Sequence, residues 1–124
     1  MAGKIFRLGP VALSNTLTTN ILNPGTTTGG VASTSAPYDK LRIVLRHIRI
    51  VNKTAGAVTF SLYLGATGAN AAGTEVIGTG YSVAANSAFD WYGMLPFDTT
   101  DFLVGGASAA TSLTIEAEGE IGLA

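Results

Sequence analysis

Histidine is the side chain best suited to move a proton near neutral pH, and this sequence has one, His47. A hydrolytic triad needs a nucleophile and an acid beside such a base, and no local motif supplies either. His47 instead lies in the middle of the apolar run KLRIVLRHIRIVN, residues 40–52, and reads as a structural or surface histidine. With no second His and no Cys, thiol nucleophiles, disulfide scaffolds and zinc sites are excluded together. Asp98 and Asp101 flank two threonines but lack the glycine and the ligand series of a calcium loop. Glu116, Glu118 and Glu120 alternate along the chain, which places them on one face of a strand as a solvated face or an ion-pair ladder rather than as an acid/base dyad.

The Gly-rich stretches are turns. Gly65-Ala66-Thr67-Gly68-Ala69-Asn70 is not followed by Gly-Lys-Ser/Thr, and Gly78-Thr79-Gly80 has no third glycine at the right spacing. Asn52-Lys53-Thr54 satisfies a glycosylation triplet, which chance alone supplies in a Thr-rich chain. Tyr81, Phe89, Trp91 and Tyr92 are close in sequence and could stack on sugar rings. Alternation, however, puts Phe89 and Trp91 on one face and Asp90 and Tyr92 on the other, and the first two suit the core or a subunit contact. The expectation is a protein with no catalytic residues, no cofactor and no metal, and so not an enzyme.

The elements that must position these residues are strands. Apolar residues recur with period two, and no window sustains a helical stripe free of Gly and β-branched runs. In residues 40–52, Leu41, Ile43 and Leu45 share one parity and Ile48 and Ile50 the other. A β-bulge at Arg46-His47 resets the register so that all five face the same way. Lys53-Thr54-Ala55-Gly56 reads as a hairpin loop into a strand with Val58, Phe60, Leu62 and Leu64 inward and Thr59, Ser61 and Tyr63 outward. Further strands are expected at Lys4 to Leu8, Leu17 to Leu22, Glu75 to Ile77, Tyr81 to Ala84, Ala88 to Tyr92, Phe102 to Val104, and from Leu113 towards Ile121. Residues 65–74 and 105–111 are expected as small-residue loops, and Leu95-Pro96-Phe97-Asp98 as a turn. Seven to nine short strands with a turn about every ten residues is the pattern of an all-β, antiparallel sandwich or jelly-roll-like domain. Asn23-Pro24-Gly25 and Gly29-Gly30 break up the start of the chain. Residues 1–37 are therefore expected as an irregular N-terminal arm with short strands, and residues 38–124 as the sandwich, in one folding unit.

At 124 residues there is room for one domain with a single core. Only 12% of residues are charged, about half the ~25% of an ordinary domain, so much of the surface is Thr, Ser, Asn, Gly and Ala and is suited to being covered. Arg7, Gly9 and Pro10 interrupt any signal-like apolar stretch, and no apolar run is long enough to span a bilayer; no membrane partner is expected. A net charge of −1 gives no excess positive charge for nucleic acid. The charges are nonetheless segregated. Residues 1–53 hold all seven Lys/Arg and one acid, Asp39, for +6; residues 54–124 hold the other seven acids and no base, for −7. Arg42, Arg46 and Arg49 can pair with Glu116, Glu118 and Glu120 across one sheet, or the two signs can meet between subunits or against a larger partner.

From Arg49 to Ala124, the phrases Ile50-Val51-Asn52, Phe60-Ser61-Leu62-Tyr63-Leu64-Gly65-Ala66-Thr67-Gly68, Val83-Ala84-Ala85-Asn86-Ser87 and Thr114-Ile115-Glu116-Ala117-Glu118-Gly119 resemble small β-sandwich structural proteins of tailed bacteriophages. Among these the chain is most similar to capsid decoration, or cement, proteins; similar modules occur in tails and fibres. The resemblance implies a symmetric homo-oligomer, often a trimer, made in the bacterial cytoplasm and seated on the outer capsid surface of the virion, where it bridges subunits of the major capsid protein. It implies no enzymatic residues. Lys4, Ile5, Phe6 and Arg7, with Arg42, Arg46 and Arg49, are then the expected partner-binding residues, and Phe89, Trp91 and Tyr92 the expected subunit interface. The other reading is a tail or fibre module that binds host surface glycan through Trp91, Tyr92 and Tyr81.

Overall fold

The computed structural model describes residues 4–23, 41–98 and 100–123. They form eight strands and, among the described residues, no helix: β1 (Lys4–Ala12), β2 (Asn20–Leu22), β3 (Leu41–Asn52), β4 (Val58–Gly65), β5 (Glu75–Val83), β6 (Ala88–Phe97), β7 (Phe102–Ala107) and β8 (Leu113–Leu123). The strands make two four-stranded sheets, in the orders β1-β8-β3-β6 and β2-β7-β4-β5, with all pairings antiparallel. Pairs β1·β8, β2·β7, β3·β6 and β4·β5 are those of a long two-stranded ribbon rolled into a sandwich, which is the jelly-roll arrangement of an eight-stranded, two-sheet domain. The expected all-β antiparallel sandwich is what the chain forms.

The core lies between the sheets. Ile43, Leu45, Ile48 and Ile50 of β3 are fully buried, and Phe97, Ile115, Ala117, Phe60, Leu62 and Leu103 pack with them. Each large apolar side chain taken out of water contributes about 1.5–3 kcal/mol. Four inward residues on β3 require the expected bulge, and it is present. Between Leu45 and His47 the strand takes two steps while β8 takes one, from Gly119 to Glu118. Against β6 the same two steps are matched by three, from Leu95 to Tyr92.

Several expectations are corrected. Residues 53–56 do not close a hairpin: β3 and β4 belong to different sheets, and the link turns the corner between them. Asn52 holds that corner, fully buried, its side-chain amide donating to the Gly56 and Val83 carbonyls and its carbonyl oxygen accepting from the Thr54 N–H and hydroxyl. An amide nitrogen so engaged is not a glycan acceptor. Leu95-Pro96-Phe97 continues β6 instead of turning, because β6 is an edge strand, where a missing N–H is tolerated. Gly105-Gly106-Ala107 is strand rather than loop. A Cβ on Gly105 (φ +151°) would lie 2.0 Å from the Ser61 carbonyl oxygen, and one on Gly106 would lie 2.6 Å from that of Ser14, so the small residues permit close backbone approach. The expected strands 75–77 and 81–84 are one strand, β5, interrupted where Ile77-Gly78-Thr79-Gly80 loops out between the pairs Leu62↔Val76 and Phe60↔Tyr81.

The start of the chain is also more integrated than an arm. β1 pairs along β8 as an edge of the first sheet, β2 pairs with β7 at an edge of the second, and Leu13 and Leu22 enter the core. The remainder of the expected arm, with Asn23-Pro24-Gly25 beyond Asn23 and Gly29-Gly30, lies outside the described residues.

Candidate functional site

The two outer faces of the sandwich differ. On the second sheet, outward Ser61, Tyr63 and Val104 are buried. The chain's own loops lie over that side. The Gly80 N–H donates to the Ser61 hydroxyl, the Ser14 and Thr16 carbonyls approach Gly106, and Asn20 binds the Thr67 hydroxyl and the Gly68 N–H. Beneath the β1–β2 connection lies a shallow depression of about 240 Å³, lined by uncharged residues such as Asn15, Thr59, Ser61 and Ser108. None of the described residues that line it is titratable.

The outer face of the first sheet is different in kind. Because Ile43, Leu45, Ile48 and Ile50 point inward, Val44, His47, Arg49 and Val51 point outward, and the register assigns their neighbours. Across the order β1-β8-β3-β6, four rows result. They are Ile5, Glu120, Val44 and Pro96; then Arg7, Glu118, His47 and Tyr92; then Glu116, Arg49 and Asp90; and last Ala12, Thr114, Val51 and Ala88. Ile5 is 79% exposed, Tyr92 72% and Met94, between Tyr92 and Pro96 on β6, 65%, which is unusual company for a charged surface.

Ion pairs knit this face from strand to strand. Arg46, the bulge residue, donates from Nε to Glu120 at 3.0 Å. Arg49 donates to Asp90 Oδ1 at 2.8 Å. His47 lies between two carboxylates, with Nε2 2.7 Å from Asp90 Oδ1 and Nδ1 2.8 Å from Glu118 Oε1, and its ring stacks on Tyr92 with centroids 4.7 Å apart. Only the imidazolium can donate from both nitrogens, so the bracket selects the charged ring. Burial alone pulls the His47 pKa down, but the hydrogen bonds to Asp90 and Glu118 and their charges outweigh it, and the pKa is raised. Hydrogen bonds from Arg49 and then His47 hold the Asp90 carboxyl below the usual carboxylate range. Asp90 in turn raises the Arg49 guanidinium. Both ring nitrogens are occupied by acids, so the bracket ties β8, β3 and β6 together across the face.

The register places Ile5, Arg7, Arg46, Arg49 and Tyr92 together on this face. Lys4 and Phe6 sit on the same edge strand, opposite Ile121 and Gly119, and Arg42 sits opposite Gly122. Phe89 and Trp91 are on the inner side of β6, packed against the core, and Tyr81 and Phe89 form an aromatic cluster with Phe60 at the seam between β5 and β6. Tyr92 therefore projects away from Trp91 and Tyr81, and the register builds no shared platform from the three. Arg and Glu do pair within one sheet, the first of the two arrangements the charges allowed. Sequence reasoning left out Asp90 as the partner of His47 and Arg49, and it left out Met94. The signal for Asp90 was its parity with Tyr92; nothing in the local pattern marked Met94. No protein-family model matches the chain, and neither does any curated protein.

Proposed function

We propose that this chain is a non-enzymatic virion structural protein of a tailed bacteriophage, which decorates the outer capsid surface and stabilises it by bridging major capsid subunits. The observation that carries this reading is the contrast between the two outer faces. One is covered by the chain's own loops, while the other exposes Ile5, Tyr92 and Met94 around an ordered charge ladder, a composition suited to contact with protein. The jelly roll is an architecture that viral capsid proteins use, which agrees with the resemblance. Among the described strands β1 is an edge, and the outer backbone groups of such an edge can extend a sheet into a neighbouring chain, so the Lys4–Arg7 stretch is the proposed lattice contact. A protein that binds only the assembled shell shifts the equilibrium away from disassembly by mass action, and an oligomer engaging several subunits at once multiplies weak contacts.

The test is to add purified protein to capsids stripped of their decoration and, in parallel, to host cells and cell-wall glycan. Saturable binding at one copy or oligomer per lattice site, with a raised capsid melting temperature, is expected. Binding to cells or glycan with no binding to capsids overturns the proposal in favour of a fibre or tail module.

A further inference from the structure

We propose that the outer face of the first sheet is covered by a second copy of this chain, related by a two-fold axis that lies in the interface along the strands, between β8 and β3. The inference concerns the oligomer within the proposed function and rests on the charge order across the sheet. Read from β1 to β6, the outward charges are positive on β1 (Arg7), negative on β8 (Glu116, Glu118, Glu120), positive on β3 (Arg46, His47, Arg49) and negative on β6 (Asp90). Reversing this order changes every sign. A two-fold axis between the two middle strands does that reversal, laying β8 over β3 of the second copy and β1 over β6. The glutamate column of β8 then meets the cation column of β3 twice, with Arg7 and Asp90 of opposite sign one row apart on each flank, and the face is complementary to itself, as an isologous contact requires.

The rows fit as well as the columns. An axis along the strands keeps each row opposite itself, so Glu116 faces Arg49 of the second copy and Glu118 faces its His47. Arg7 comes over the exposed ring of Tyr92, where a guanidinium is attracted to the aromatic face. Ile5 meets the Pro96 and Met94 end of β6, which covers two of the most exposed apolar side chains on the protein. The last row, Ala12, Thr114, Val51 and Ala88, has no bulky or charged group to obstruct approach. Two sheets packed this way lie about 10 Å apart with strands within about 30° of each other. Four strands at ~4.8 Å and about eight residues at ~3.3 Å give a footprint of roughly 500 Å² in projection, at the small end for a specific interface, so the pair is weak and salt-sensitive. Such a pair leaves both β1 edges on opposite flanks, free for two separate neighbours, which is what bridging needs.

Sedimentation equilibrium of the protein alone tests this. A monomer–dimer equilibrium is expected whose dissociation constant rises at least about tenfold between roughly 0.05 M and 0.5 M salt. Arg49→Glu and Glu116→Arg each place like charges opposite one another across the axis, and each should weaken self-association about tenfold or more. An equimolar mixture of the two variants restores opposite charges at both contacts and should recover pairing. Rescue by mixing separates contact between copies from pairing within one sheet, and thermal melts confirm that each variant is folded. Ile5→Lys, at a position open to solvent and opposite Glu120 of its own sheet, should weaken pairing without lowering the melting temperature. A protein that stays monomeric to about 1 mM, a trimer indifferent to these substitutions, or a mixture that fails to pair overturns the proposal. A dimer that ignores capsids removes the capsid reading and leaves the pairing intact; a capsid-binding monomer does the reverse.

Discussion

Deleting Arg46 is expected to leave the protein folded, whereas deleting Arg49, three positions along the same strand, is expected to unfold it or nearly so. The two deletions are matched: each shortens the central strand by one residue and removes one arginine from an ion pair on the outer face. They differ in what happens to parity. Arg46 is the extra residue of the bulge, so without it β3 alternates regularly against β8, with Ile43, Leu45, Ile48 and Ile50 still inward. The loss is the Arg46–Glu120 pair, half-exposed on both sides and contributing about 0.2–1 kcal/mol, plus some readjustment of the edge strand β6. A total near 1–2 kcal/mol follows. Without Arg49, Ile50 and Asn52 turn outward. Exposing Ile50 costs about 1.5–3 kcal/mol. Losing the four hydrogen bonds of Asn52, at about 0.5–1.5 kcal/mol each, costs about 2 kcal/mol or more. If instead the bulge is used up to rescue Ile50, Ile48 turns out and His47 turns in, which costs no less. The sum, about 4 kcal/mol or more, is a large share of the roughly 5–15 kcal/mol that holds a domain together. Urea unfolding followed by far-UV circular dichroism and by the fluorescence of Trp91 measures both. Equal losses for the two deletions, or a larger loss for Arg46, would refute the assignment of the bulge.

Three further outcomes are expected. Gly105→Ala should lower stability by several kcal/mol, because its Cβ meets the Ser61 carbonyl at 2.0 Å in a conformation that side chains avoid, while Gly56→Ala, with nothing within 4 Å, should be nearly neutral; thermal melts compare them. The stability contributed by His47 should be fully present below the unfolded pKa of about 6.5 and be lost as pH rises through the higher folded value, and that of Asp90 should be present above about 3.9 and lost as pH falls through its lowered folded value; unfolding curves at stepped pH show the alkaline loss, which His47→Gln abolishes. Asn52→Ala should cost about 1–3 kcal/mol, read from urea midpoints, by leaving the Gly56 and Val83 carbonyls without their donor.

The bulge in β3 was legible because five apolar residues change parity at Arg46-His47, and only one inserted residue reconciles them with a single core. The inward sets of β4 and β8 were legible from unbroken alternation. Sheet membership was not. Lys53-Thr54-Ala55-Gly56 carries the composition of a hairpin loop, and turn chemistry does not say whether the next strand pairs with the last or crosses to the opposite layer. Local pattern also could not tell that Gly105 and Gly106 are small because other backbones press on them. On the candidate face, the column of glutamates was visible as alternation, and the cations of β3 as arginines gathered on one strand. That Asp90 sits against both Arg49 and His47 depends on the β3–β6 register, which the bulge shifts by a residue.

The nested pairing of strand n with strand 9−n has a kinetic side. Among the described strands, β4 and β5 are the one pair that is adjacent both in sequence and in a sheet. A search for native contacts therefore has a single cheap place to start, and each later pair closes a wider loop than the one before, until Lys4 settles opposite Ile121. The topology therefore favours a slow, outward zippering of the sandwich, whose last seam closes only once β1 and β8 are both present.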